Sequence, residues 1–169
     1  IRQSNIVRRI NQRNKQYNLN ENFFDKIDNQ EKAYILGILY ADGCNTIQHS
    51  VILGLRDYDA DILYKINTCL QHTKPLRYIE RSKTYSLEIT NKYVSKQLVK
   101  LGCMQAKTFK ITFPEWLEPG LYNHFIRGYF DGDGSINKSI YNKTEFDLVG
   151  TEQFLTRIQE IMIKELGLN

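Results

Sequence analysis

Two short stretches of this chain end alike, and that likeness restricts the fold more than any other feature. "AYILGILYADGCN" (Ala33 to Asn45) and "FIRGYFDGDGSI" (Phe125 to Ile136) each run through an apolar, helix-like segment and stop at Asp-Gly. Gly37 and Ala41 stand four residues apart in the first, as Gly128 and Gly132 do in the second. Residues four apart share one face of a helix. With no side chain or only a methyl on that face, two backbones can come very close. A single copy reads as ordinary tight packing. Two copies in the same phase predict a helix-against-helix pair, with Gly37, Ala41, Gly128 and Gly132 at the contact.

The acids sharpen this expectation. Asp42 and Asp133 fall at the carboxyl ends of the two helices, where the macrodipole already disfavours a negative charge. If the helices pack together the two carboxylates converge, and like charges repel. A divalent cation between them reverses the sign of both effects. Oxygen-only ligation with room for water suits Mg²⁺, and Mn²⁺ or Ca²⁺ can substitute in such a site. A metal so held can generate hydroxide and stabilise the leaving oxygen of a phosphodiester. A plain helix C-cap is the bland alternative for one Asp-Gly, and it weakens when the motif is paired. An EF-hand is excluded: in "DGDGSINKSIYN" the glycine stands at the fourth loop position instead of the sixth, and Asn142 replaces the bidentate Glu.

The rest of the chain supplies the context. "FFDKI" reads as a short packed turn, and Gln30 to Ala41 as a helix apolar nearly all round, hence buried. "HSVILGLR" alternates Val51, Leu53 and Leu55 as a strand. "DYDADILYKINTCL" reads as a helix capped by Asp57 or Asp59, with Ile62, Leu63, Ile66 and Leu70 inward. "LRYIERSKTYSLEIT" predicts a hairpin turning near Ser82-Lys83, with Tyr85, Leu87 and Ile89 on one side. "KYVSKQLVKLG" is a second amphipathic helix ended by Gly102. A short extended piece and a Pro-bounded link follow. From His124 the order restarts: a buried helix, "SINKSIY", a turn at Asn142-Lys143, "EFDLVGT", and a helix with Phe154, Ile158, Ile161 and Met162 inward.

This is an internal repeat with a period of about ninety residues. It divides the chain into a basic extension (1–29), a first repeat (30–113), a linker (114–123) and a second repeat (124–169). The second repeat lacks counterparts of Arg77 to Lys107 and reads as truncated.

Composition adds less. The 169 residues suit one compact domain or two small pseudo-repeats around a shared core. The net charge of +4 is too small to name a partner. Arg2, Arg8, Arg9, Arg13 and Lys15 precede the first acid and form either an arm for phosphates or a solvated basic helix. No run is long and apolar enough for a membrane helix, and no signal-peptide pattern opens the chain. The 3 cysteines form no C-x-x-C pair and fit reduced thiols inside a cell, most of them in the core. His49, His72 and His124 show no metal-ligand spacing.

The paired stretches resemble the LAGLIDADG homing endonucleases in their single-chain, two-motif form. Ile35-Leu36-Gly37-Ile38-Leu39-Tyr40-Ala41-Asp42-Gly43 and Ile126-Arg127-Gly128-Tyr129-Phe130-Asp131-Gly132-Asp133-Gly134 carry the resemblance, which extends from about Phe23 to the C-terminus. It implies an α+β fold of two pseudo-symmetric αββαββα repeats, with the motif helices at the interface and saddle-shaped antiparallel sheets over DNA. It implies a site-specific, metal-dependent endonuclease, intron-encoded or otherwise mobile, acting on double-stranded DNA as a monomer, or as a fragment needing a missing C-terminal part. Asp42 and Asp133 carry over as catalytic and metal-binding residues. Ala41 and Gly132 carry over as main-chain ligands or outer contacts of the metal. Asp131 and its counterpart Tyr40 are assigned to structure.

The family's basic residue near the scissile phosphate is matched by Lys107, whose charge would stabilise the phosphorane or polarise water; a solvated surface lysine is the alternative. A second such Lys would lie beyond Asn169. Asp57 reads as a solvent-network residue or an N-cap. Base reading should come from the concave sheet face. Alternation puts Ser135, Asn137, Ser139 and Tyr141 on one side; the opposite parity would turn Ile136, Lys138 and Ile140 outward. Arg77 and Arg81 are further DNA-binding candidates, and Lys83 a phosphate contact. The competing reading is an RNA-binding intron maturase, or a DNA-binding module that does not cut.

Overall fold

A computed structural model describes residues 17–104, 110–138 and 143–167. The chain is a mixed α+β structure with antiparallel sheets. It is organised around two helices, α1 (Gln30–Ala41) and α4 (Tyr122–Asp133). Between them run β1 (Cys44–Asn45), β2 (Ser50–Arg56), α2 (Ala60–Cys69), β3 (Arg77–Ile79), β4 (Thr84–Thr90) and α3 (Lys92–Lys100). After α4 come β5 (Gly134–Lys138), β6 (Thr144–Leu148) and α5 (Glu152–Leu166).

Why α1 starts and where it sits follow from its sequence. Asn29 caps it, its side-chain oxygen accepting from the Lys32 N–H at 2.9 Å. From Ile35 to Ala41 every residue is buried, as expected of a helix apolar on all sides. Its partner α4 differs from the expected buried helix. Only Phe125, Gly128 and Tyr129 are fully buried, because Arg127, Asp131 and the other polar residues need water on one flank.

The four-stranded sheet has the order β1-β2-β4-β3, antiparallel throughout. Register pairs Val51 with Ile89 and Leu53 with Leu87, so one face of both central strands is apolar and covered. Leu63 and Ile66 of α2 and Val94 and Leu98 of α3 belong to the same core. The hairpin turns where expected, with Lys83 in the left-handed region at φ 48°. α2 is entered through a 3₁₀ turn, Asp57–Asp59, and neither acid caps it: Asp59 makes no capping side-chain bond and Asp57 Oδ1 accepts from Tyr58 N–H at 3.0 Å. The 3₁₀ turn has placed Asp59 away from the β-region conformation that a capping side chain needs.

The second sheet is the hairpin β5-β6. Thr151 caps α5, and Phe154, Ile158 and Ile161 are buried as the spacing predicts. Met162 is 44% exposed, contrary to expectation, and lines an apolar groove of about 990 Å³ with Ile126, Phe130, Phe146, Leu155 and Leu166. The segments 17–29 and 110–121 also contribute to the core. Phe23, Phe24 and Ile27 are buried, as are Ile111, Phe113, Leu117 and Leu121. The second segment is tied to α5 by Thr151 Oγ1–H donating to Ile111 O at 2.7 Å and by the Arg157–Glu115 ion pair. All three cysteines are free, but only Cys103 is buried, fewer than expected. Among the described residues no helix is long and apolar enough to cross a membrane.

Candidate metal centre and nucleic-acid interface

The site is built on the crossing of α1 and α4. A Cβ on Gly37 would meet the main chain of α4, at Phe125 O and, at 2.8 Å, Tyr129 N. A Cβ on Gly128 would meet the main chain of α1, at Tyr34 O and, at 2.9 Å, Tyr34 C. The contacts are reciprocal, each glycine facing the carbonyl three residues before the other. Ala41 takes part through its Cβ, which lies against Gly132. Side chains at the rims complete the seam. Tyr34 donates its O–H to Asp131 Oδ2 at 2.7 Å, with the Arg127 guanidinium 4.9 Å over the Tyr34 ring. At the matching place across the crossing, Phe125 meets Tyr40 edge-on at 5.0 Å. Tyr40 also donates to Leu101 O, tying α1 to the end of α3.

This crossing brings Asp42 and Asp133 to the same end of the pair. Asp42 is the exposed C-cap of α1; Asp133, half-buried, is the last residue of α4. A Cβ on Gly132, the residue next to Asp133, would lie 3.2 Å from Asp42 Oδ2. Both acids bear on one buried phenol. Tyr129 is held protonated well above its ordinary range, first by burial, then by the charge and hydrogen bond of Asp133, and last by the charge of Asp42. The glycine after each acid is not a left-handed cap. Gly134 is extended (φ −99°, ψ 160°) and opens β5 directly. A Cβ on Gly43 would strike Leu39 O at 2.5 Å, and one on Gly134 would strike Phe130 O at 2.5 Å. Glycine is required there because the chain folds back over the last helical turn.

Two carboxylates at adjoining helix C-termini form an oxygen-only donor set that fits Mg²⁺. That ion is commonly held by one or two carboxylates, with water and substrate phosphate completing the shell. Among the described residues no group of three or more His, Cys, Asp or Glu forms an all-protein metal cage.

The sheets flank this site. Because Val51, Leu53, Leu87 and Ile89 face the core, the other parity of β2 and β4 faces away: Ser50, Ile52, Gly54 and Arg56, with Thr84, Ser86, Glu88 and Thr90. Arg77 is opposite Ser86 and shares that open face. Arg81 lies off the strands, in the 3₁₀ turn Glu80–Ser82, and Lys83 ends that turn. Two basic residues that the sequence reading passed over belong here. Arg56 donates to Ser82 O at 2.7 Å, and Lys74 pairs with Glu88 at 2.7 Å, which holds the Glu88 carboxyl below its ordinary value. Alternation along β2 marked Arg56 already, whereas nothing local marked the Lys74–Glu88 pair.

On the second sheet Ser135 and Asn137 do share a face, opposite Asp147 and Glu145. Asn137 Nδ2 donates to Asp147 Oδ2 at 2.7 Å and to Ser135 Oγ at 3.1 Å. Ile136 is paired with Phe146 on the other side, where Phe146 meets Phe130 of α4 at 6.2 Å. Lys107, Ser139, Ile140 and Tyr141 lie outside the described residues, as does the basic arm.

The sequence matches no known family profile and no curated protein. Among solved structures it is similar to the I-LtrWI LAGLIDADG homing endonuclease bound to target DNA, at 12% identity and a TM-score of 0.43, over 88% of this chain and 72% of that one.

Proposed function

We propose that this chain is a site-specific, Mg²⁺-dependent double-strand DNA endonuclease of the LAGLIDADG homing type, acting as a monomer. The observation that carries the proposal is the arrangement of Asp42 and Asp133, set side by side by a glycine-mediated crossing and flanked by two sheets with polar open faces. A bound divalent cation there supplies charge neutralisation and an activated water. Asp42 and Asp133 hold that cation, with the main chain at Ala41 and Gly132 as outer contacts. Lys107 stabilises charge at the phosphorane. Arg77, Arg56 and Lys83 hold phosphates or guanine edges, and Arg81, Ser135, Asn137, Ser139 and Tyr141 contact the duplex.

The same reading makes the chain two pseudo-symmetric repeats. Supporting this, the order α1-β1-β2-α2 recurs as α4-β5-β6-α5.

The test is selection of cleaved sequences from a randomised duplex library with Mg²⁺, beside Asp42→Asn and Asp133→Asn. The expected result is cutting of both strands by the parent protein at one long site and by neither variant, with binding retained. Cutting that survives both substitutions removes the catalytic assignment. Specific binding without cutting by the parent moves the chain to the binding-module class.

A further inference from the structure

Glu88 puts a negative charge on the surface proposed to meet DNA. Among the strand residues on the open face of the four-stranded sheet it is the only acid; Ser50, Ile52, Thr84, Ser86 and Thr90 around it are neutral. A carboxylate turned toward phosphates is repelled, and such like-charge contacts weaken an interface. It is accommodated where it meets a hydrogen-bond donor. The donors that duplex DNA offers in its major groove are the amino groups of cytosine and adenine. Lys74 Nζ lies 2.7 Å from Glu88 Oε2, with the two side chains 31% and 40% exposed. An ion pair this open to water adds little to stability, so the fold itself gives scant reason for setting it on this face.

We propose that Lys74 and Glu88 act together to read one C·G base pair through the major groove, Glu88 accepting from the cytosine N4 amino group and Lys74 donating to guanine O6 and N7. This rests on the endonuclease reading above, in which the open face lies on the duplex. The spacing suits the task. Cytosine N4 and guanine O6 are the donor and acceptor of one Watson–Crick hydrogen bond, about 2.9 Å apart. An acceptor and a donor 2.7 Å apart can face them side by side. An A·T pair fits less well: its adenine amino group lies between two separated acceptors, adenine N7 and thymine O4, the latter beside a methyl group. Guanine presents two acceptors together, which suits an ammonium.

Both groups are held in place. Glu88 stands on β4, a central strand, in the ladder with β2 and opposite Ile52. Lys74 belongs to a turn that is tied down twice. Its carbonyl accepts from Asn67 Nδ2 at 3.2 Å, and Thr73 exchanges bonds with Asn18: its N–H donates to Asn18 O at 3.1 Å, and its Oγ1 accepts from Asn18 N–H at 2.8 Å. The ion pair orients each side chain before DNA arrives, which lowers the ordering cost of the contact. It also leaves the pair with no net charge to repel phosphates.

The test is selection of bound sequences from a randomised duplex library by the whole protein without Mg²⁺, so that binding is scored apart from cutting, for the parent, Glu88→Gln and Lys74→Met. The parent should hold one position of its site to C·G. Glu88→Gln should admit A·T at that position, because a Gln amide pairs with adenine N6 and N7. Lys74→Met should lower the discrimination there by about tenfold, within the range for a good side-chain contact to a base. Every other position should keep its preference in both variants, with melting temperatures little changed. Two variants altering the same single position is a result that a merely structural ion pair would not give. Preferences unchanged in both variants, altered at different positions, or loosened evenly over the site overturn the inference and leave the endonuclease reading intact. A parent that selects no sequence overturns both.

Discussion

Gly37→Ala tests the helix crossing most directly. The added methyl would lie 2.8 Å from Tyr129 N and against Phe125 O, both backbone atoms of a packed helix that cannot rotate away. An ordinary contact for a methyl carbon is about 3.5 Å, so the helices must part by at least roughly 0.7 Å. Overpacking of this kind costs about 1–3 kcal/mol. The upper end applies here, because the neighbours are main chain and the interior is close-packed. Alanine returns about 1 kcal/mol of helix propensity. The net loss is about 2 kcal/mol, which in urea lowers the midpoint by roughly 1 M for a protein of this size.

The sharper signature is non-additivity. A Cβ on Gly128 strikes Tyr34 across the same crossing, at 2.9 Å from its carbonyl carbon. Once the helices have parted for one methyl, most of the room for the second exists. The double variant should therefore lose clearly less than the sum of the two single losses. Gly120→Ala, with nothing within 4 Å of its added Cβ, is the control and should stay within about 0.5 kcal/mol of the parent. A neutral Gly37→Ala, or a double variant whose loss equals the sum, would refute the close-approach account.

Three more outcomes follow. Asn45→Ala removes a buried amide that donates to Ser95 O at 3.0 Å and Cys103 O at 3.2 Å and accepts from Ser95 Oγ at 2.7 Å; it should destabilise by about 2–3 kcal/mol in denaturant titration. His72, desolvated and hydrogen-bonded to Asn67 Oδ1 at 2.9 Å, has its pKa lowered from 6.5. Its contribution to stability is therefore complete above the unfolded value and lost as pH falls through the folded one, so urea midpoints should drop on acidification less in His72→Asn than in the parent. Arg77→Ala, on the open face of the sheet, should weaken DNA binding and, if the contact is to phosphate, reduce the salt slope by about one; a slope and affinity equal to the parent's would remove Arg77 from the interface.

How much of this was legible in the sequence depends on the range of the interaction. Helix and strand order, the turn at Lys83 and the inward faces of α2, β2 and β4 follow from periodicities within a few residues, and they are as expected. The glycine spacing exposed the crossing because it occurs twice. Pairings across long stretches of chain were hidden. Tyr34 with Asp131 and Tyr129 with Val149 join residues whose types carry no sign of each other. Asp57 and Asp59 misled because a 3₁₀ turn intervened before α2. Met162 misled because helical spacing gives the face but not what covers it. The glycine after each acid was open to a plain helix C-cap reading; its clearance over Leu39 and Phe130 is visible only in three dimensions.

That last feature has a mechanical corollary. Because α4 passes into β5 without an intervening loop, and α1 reaches β1 in two residues, neither joint has slack to absorb movement. Whatever bends or tilts a hairpin as it settles on a ligand must swing the neighbouring carboxylate with it. On the endonuclease reading proposed above, sensing of the surface and aiming of the acid would then be a single displacement, and a poorly fitting duplex would leave the acids misaligned.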